Sequence, residues 1–302
     1  MTKHAEVAVS DELFAPVSPG VELCYQTFGD AGDESLLLIM GLGGPMIWWD
    51  EDFCRMLAER GFHVIRFDNR DTGRSSRQKG KVTRLQLVRA FAGRRVGAPY
   101  SLADMASDGV GLLDHLGIDA AHVVGISMGG MIAQTMAVEH PSRVRSLTSI
   151  MSTTGKRTVG WQDPKLLPAL LGPRKLERDS YVESSAKFWE MIGSPGYPED
   201  PLHTRTKAGN TFDRGLNGAG VLRQMLAILT QPNRASGLHA LRIPALVIHG
   251  LNDRMVHASG GRATSAAIPG SELLLVEGMG HDLPRDLWPT FVDAIHRTAS
   301  RA

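Results

Sequence analysis

The chain has 302 residues, enough for one large α/β domain or two ordinary ones with a substantial buried core. Its 33 Lys plus Arg stand against 32 Asp plus Glu, a formal net charge of +1, so the overall balance points to neither nucleic acid nor an anionic membrane and a small-molecule partner is expected. Cys24 and Cys54 are too sparse for a disulfide framework and read as reduced packing residues, and no CxxC or clustered Cys/His spacing suggests a metal site.

The N-terminal stretch MTKHAEVAVSDELFAP has no apolar h-region, and no later run reaches the roughly 18 apolar residues of a membrane helix. A cytoplasmic protein without a stable membrane anchor is expected. VELCYQTFGD alternates in polarity and suggests an antiparallel edge hairpin. Strand runs then follow: LLLIM (36–40), HVIRF (63–67), AHVVGI (121–126), VRSLTSI (144–150), PALVIHG (244–250) and ELLLV (272–276). Several are continuously apolar, as strands covered on both faces are. Helix patterns lie between them: EDFCRMLAERG, SLADMASDGVGLLDHLG with Ser101 as N-cap, MIAQTMAVEHP, SGGRATSAAIPG and DLWPTFVDAIHRTA. This alternation predicts an α/β fold with a mostly parallel sheet flanked by helices. It breaks from Ser152 to Ala240, a stretch with several prolines and the loop NTFDRGLNGAGV that reads as short helices. The predicted organisation is a core made of residues 1–151 and 241–302, with 152–240 inserted as a helical cap.

Chemistry enters at GISMG, where Ser127 stands between Gly125 and Gly129, directly after one apolar strand and before one apolar helix. A one-residue turn from strand to helix strains the serine backbone and requires small neighbours two positions away. It also exposes the hydroxyl at a helix N-terminus, where developing negative charge is favoured. Because a serine hydroxyl is a weak nucleophile, a base and an orienting acid are needed. Among eleven histidines, His281 lies in the glycine-bearing loop of LLLVEGMGHDLP after the last strand. His249 sits inside a strand and His122 begins one, so both read as packing residues. Asp253 follows the strand LVIHG, 126 residues after Ser127 and 28 before His281, whereas Asp282 reads as a loop or capping residue. Donors for an oxyanion are expected from the backbone N–H of Met128 and, in the loop MGLGGP, of Leu42.

With these motifs in order, residues 20–150 and 241–302 resemble the capped serine hydrolases of the α/β-hydrolase superfamily. LLLIMGLGG and RFDNRDTGRS are most similar to the branch containing aclacinomycin methylesterase and related actinobacterial esterases and lipases. Two departures stand out. Met40-Gly41 replaces the His-Gly many relatives carry before the oxyanion donor, and Asp71 replaces a glycine in the family's Asp-x-Arg-Gly-x-Gly-x-Ser pattern, which puts the local turn in question. The resemblance implies a cofactor-independent serine carboxylesterase. Ser127 would be nucleophile, His281 base and Asp253 orienting acid, acting on small to medium apolar esters with water as second substrate. Serine at the elbow argues against the dehalogenase and epoxide-hydrolase chemistries that use aspartate there. Methylesterase, lactonase, lipase, C–C hydrolase and perhydrolase activities stay open with the same triad, as does a noncatalytic small-ligand receptor; a homodimer is also left open. Trp48, Trp49, Trp161 and Trp189 suggest an apolar binding site. Long-chain lipids are less expected because no interfacial amphipathic helix is evident.

Overall fold

The computed structural model describes residues 7–166, 168–169 and 177–302. Eight strands form one sheet: β1 (Leu13–Ser18), β2 (Val21–Phe28), β3 (Glu34–Ile39), β4 (Phe62–Phe67), β5 (Ala121–Ile126), β6 (Val144–Ile150), β7 (Ala245–Gly250) and β8 (Glu272–Val276). Their lateral order is β1-β2-β4-β3-β5-β6-β7-β8. The β1–β2 hairpin lies at one edge as expected, and β2 also pairs antiparallel with β4. Every later pairing is parallel.

The helices are α1 (Glu51–Ala58), α2 (Arg84–Phe91), α3 (Leu102–His115), α4 (Met128–Glu139), α5 (Arg178–Ile192), α6 (Pro201–Asp213), α7 (Gly218–Thr230), α8 (Ala235–His239), α9 (Ser259–Ala267) and α10 (Trp288–Ala299). Strand alternation divides the core into two layers. Leu37, Ile39, Val123 and Leu147 pack with Leu112 of α3 and Met136 of α4. Leu36, Leu38, Val124 and Ile248 pack on the other face with Phe53 of α1 and Phe291 of α10. Both faces are covered, which accounts for the continuously apolar strands. Ser101 caps α3 as predicted: its Oγ accepts from Asp104 N–H at 3.1 Å, and Asp104 Oδ2 accepts from Ser101 N–H at 2.7 Å.

Two features differ from the sequence expectation. Helix α2 was not anticipated, although its start carries a capping box in which Thr83 Oγ1 accepts from Gln86 N–H and Gln86 Oε1 accepts from Thr83 N–H. Between β6 and β7 the described residues contain helices and no strand, but α5, α6 and α7 span 15, 13 and 13 residues rather than forming short pieces. NTFDRGLNGAGV is helical at both ends: residues 210–213 close α6, and residues 218–221 open α7, which Asn217 caps by accepting from Gly220 N–H at 3.0 Å. Residues 167 and 170–176 of the expected cap, and 1–6 of the N-terminal stretch, lie outside the described residues.

Candidate active site

Ser127 links β5 to α4 with φ 55° and ψ −117°, a conformation unfavourable for a residue with a side chain. The bend is held through the serine's own backbone: its N–H donates to Ile150 O at 2.9 Å, and its carbonyl accepts from Met131 N–H at 3.1 Å and Ser152 Oγ at 2.8 Å. The need for glycine on either side is steric. A Cβ at Gly125 would lie 2.1 Å from Gly129 O, and one at Gly129 would lie 2.0 Å from Ile39 O. The turn closes only because these two residues have no side chain.

His281 and Asp253 arrive from the loops after β8 and β7. Asp253 Oδ1 accepts from the N–H groups of Met255 and Val256, both at 2.8 Å, and its Oδ2 lies 2.7 Å from His281 Nδ1. His281 Nε2 lies 3.1 Å from Ser127 Oγ. Asp253 is buried, which pushes its carboxyl upward, but the imidazoles of His281 and His249 outweigh burial and hold it well below the usual carboxylate range. An ionised carboxylate can only accept, so His281 Nδ1–H donates to Asp253, and in the neutral imidazole Nε2 carries the lone pair that faces the serine hydroxyl.

The loop between β3 and α1 runs beside the serine. A Cβ at Gly41 would lie 3.3 Å from Ser127 Cβ. Gly44 N–H donates to Gly41 O at 3.2 Å across a turn with Gly43 at φ 63°, which places Leu42 at its second position. The N–H of Met128 opens α4, where no intrahelical acceptor exists for it. Three side chains brace the loop: Asn69 Nδ2 donates to Met40 O at 2.9 Å, Asp68 Oδ1 accepts from Met46 N–H at 2.7 Å, and Gln224 Oε1 of α7 accepts from Gly43 N–H at 2.8 Å. At position 40, where the resemblance leads one to expect a histidine, the loop is braced from the segment after β4 and from α7.

The question raised by Asp71 is answered here. It adopts φ 71°, the left-handed conformation a glycine would supply, and its carboxylate has work a glycine could not do. Arg223 of α7 donates to both its oxygens at 2.7 and 2.8 Å, Tyr100 Oη–H donates at 2.8 Å, Gln78 N–H at 2.8 Å and Asn217 Nδ2 at 3.1 Å. Burial pushes this carboxyl up, but those donors, Arg223 foremost, hold it below its usual range. Nearby, Arg214 forms a second clasp with Asp68 at 2.7 Å and Glu12 at 2.5 Å.

Sequence reasoning named Ser127, Asp253, His281, Leu42 and Met128; the fold sets the first three at hydrogen-bonding distance in series, with Met128 next to the serine in the chain and Leu42 following Gly41 in the loop beside it. That reasoning missed their supports. His249 is fully buried, as a packing residue should be, and its Nε2 also lies 3.4 Å from Asp253 Oδ2, a contact the sequence did not reveal. Asp282 is a loop residue, one of the two readings the sequence offered, and it binds the Ser194 hydroxyl and accepts from Ser194 N–H at 3.3 Å. Gln224 and Arg223 could have been noticed as adjacent polar residues in the otherwise apolar stretch VLRQMLAIL. Of the tryptophans, Trp48 and Trp189 meet edge to face at 5.1 Å, with Trp48 Nε1–H donating to Thr211 Oγ1 at 2.9 Å. Trp49 is instead fully buried and stacked on Phe53 in the core, and Trp161 is exposed and stacked on His257.

Rhodomycin D methylesterase DauP of Streptomyces sp. (strain C5) is 32% identical over 292 residues, covering 87% of this chain and 90% of that protein. Rhodomycin D methylesterase DnrP of Streptomyces peucetius is 28% identical over 290 residues, with the same coverage of 87% and 90%. Among solved structures, the enol-lactonase from Burkholderia xenovorans LB400 superposes with a TM-score of 0.72 at 21% identity, covering 95% of this chain and all of that one. A family model described as the α/β hydrolase fold matches residues 34–284, and with that span the chain belongs to the α/β-hydrolase family.

Proposed function

We propose that the protein is a serine carboxylesterase that cleaves small to medium apolar esters through an acyl-enzyme. The observation that carries this reading is the relay of hydrogen-bonding distances, 3.1 Å from Ser127 Oγ to His281 Nε2 and 2.7 Å from His281 Nδ1 to Asp253, built on a strained turn at a helix N-terminus. Ser127 Oγ attacks the ester carbonyl while His281 Nε2 takes its proton, and Asp253 stabilises the imidazolium that forms. The tetrahedral oxyanion is received by the N–H groups of Met128 and Leu42; loss of one such donor typically costs about a hundred- to a thousandfold in rate. His281 returns the proton to the departing alcohol, then activates water to release the acid. Residues 152–240 act as the cap, and Trp189 of α5 meets Trp48 of the loop between β3 and α1 where the two parts face each other.

Likeness to two proteins named as methylesterases favours a methyl or similarly small alcohol as leaving group. The decisive measurement is labelling with an active-site phosphonate followed by peptide mapping, alongside a Ser127→Ala variant assayed on p-nitrophenyl esters, methyl esters, lactones and triglycerides. The adduct is expected on Ser127, with ester hydrolysis abolished in the variant. Undiminished hydrolysis by Ser127→Ala would show the nucleophile to be another residue. Absence of any adduct, with small-ligand binding retained, would establish a noncatalytic receptor instead.

A further inference from the structure

The chain's charge is nearly balanced overall but not along its length. Between Thr72 and Ala103 lie eight of the 33 basic residues, Arg74, Arg77, Lys79, Lys81, Arg84, Arg89, Arg94 and Arg95, and none of the 32 acidic ones. All eight are exposed. Arg74 pairs with Glu12, but among the described residues Lys79, Lys81, Arg84, Arg89, Arg94 and Arg95 have no carboxylate at ion-pair distance.

Helix α2 sits in the middle of this run. One side of it is held: Leu87 and Ala90 are buried with Leu226 of α7, flanked by Leu222 and Met225. Its other apolar residues face outward. Leu85, Val88 and Phe91 are 65%, 64% and 65% exposed, three residues apart along one side of the helix. Arg157 donates to the carbonyls of Ala90 and Phe91 at the end of the helix, adding another exposed cation there. A solvated face would carry polar residues at such positions. Here three large apolar side chains protrude from a collar of unpaired cations, although no described helix is long and apolar enough to cross a membrane.

We propose that α2 and its flanking loops form a reversible docking surface for an anionic lipid bilayer, with Leu85, Val88 and Phe91 entering the headgroup–acyl boundary and the surrounding Lys and Arg meeting anionic headgroups. The charge complementarity commits the surface to a lipid rather than to a neutral ligand, and the protruding side chains supply what a purely polyanionic partner would leave exposed. The surface adjoins the site, since α2 packs on α7, whose Gln224 braces the loop beside Ser127. An apolar ester held in a membrane would thus be met at the cap. This inference goes beyond the esterase reading and does not depend on it, because binding is measured without turnover.

The test is flotation of Ser127→Ala protein with vesicles of phosphatidylcholine alone and with phosphatidylglycerol added. Each basic residue near such a surface contributes about fivefold in partitioning. Arg84→Gln, Arg89→Gln, Arg94→Gln and Arg95→Gln combined should therefore weaken binding to the anionic vesicles by several hundredfold. Raising salt should weaken wild-type binding, and Leu85→Ser, Val88→Ser and Phe91→Ser combined should nearly abolish it. These side chains are exposed, so their replacement should leave the unfolding midpoint unchanged, which circular dichroism checks. Failure of the wild-type protein to float with anionic vesicles would overturn the proposal, as would equal flotation of the variants. So would a dimer dispersed by the serine substitutions in a protein that ignores vesicles, which would make the face a contact between two copies.

Discussion

Replacing Asp71 by glycine separates two opposing contributions at one position. Glycine is what the related motif carries, and at φ 71° it would remove left-handed strain costing about 1 kcal/mol. The same change removes the carboxylate bound by Arg223 and Tyr100 inside the protein. Both side chains of the ion pair are nearly inaccessible, 0% for Asp71 and 6% for Arg223, so solvent would screen the orphaned guanidinium poorly. Breaking a buried pair by removing one partner costs about 3–5 kcal/mol, and an unsatisfied Tyr100 hydroxyl adds about 1 kcal/mol. The ion pair outweighs the strain, so Asp71→Gly should be destabilised by about 3–5 kcal/mol. Equilibrium urea unfolding followed by tryptophan fluorescence and circular dichroism measures it. Adding Arg223→Met to Asp71→Gly should recover much of the loss, because the unpaired charge is gone. An Asp71→Gly protein as stable as wild type would refute the reasoning and show that the backbone conformation, not the clasp, governs this position.

Gln224→Leu should lower kcat about tenfold to a hundredfold with little change in KM, because the loop carrying the Leu42 donor loses its brace at Gly43; steady-state kinetics on a chosen ester would show the split, and Gln224→Glu, which keeps an acceptor, should recover part of it. Gly129→Ala should give no active folded enzyme, as its Cβ would meet Ile39 O at 2.0 Å; normal activity from soluble protein would contradict the close approach. Burial pushes the thiols of Cys24 and Cys54 up to about 12, so iodoacetamide at pH 8 should leave the native protein unmodified and alkylate both in urea, as mass spectrometry can read. The depressed carboxyls of Asp71 and Asp253 contribute stability that is fully present above the unfolded-chain value near pH 4 and is lost as pH falls through the lower folded values. Urea midpoints should accordingly fall steeply below about pH 4, and less steeply in Asp71→Asn.

The proposed triad was legible because each member sits at a position that local patterns mark: a strand end, a glycine-bearing loop, a turn that tolerates only small neighbours. Its supports were not, because their significance is set by distance in space. Gln224 and Gly43 are separated by 181 residues, and nothing local in VLRQMLAIL says which loop its amide will meet. His249 was read correctly as a packing residue, but its contact was hidden for a related reason. Its place inside a strand correctly predicted burial, but not that the chain would fold back to set Asp253 against its ring four residues later. Asp71 looked like a defect when compared with a glycine, and became intelligible only with the cation that faces it. Helix α2 was passed over because its apolar residues do not form one buried stripe; they are shared between α7 and the outside.

The end of α5 and the segment after it are sewn to the loop that carries His281. Ile192 O accepts from His281 N–H at 2.7 Å, Gly278 O accepts from Gly196 N–H at 2.9 Å, and Ser194 links Asp282 to Gly280 N–H. Any motion that lifts this side of the insertion must break the bond to the histidine's own backbone. The position of the His281 ring beside Ser127 is therefore tied to the end of α5 through the backbone, not only through the loop after β8. Slow hydrogen exchange at the His281 amide would report how firmly this seam is held.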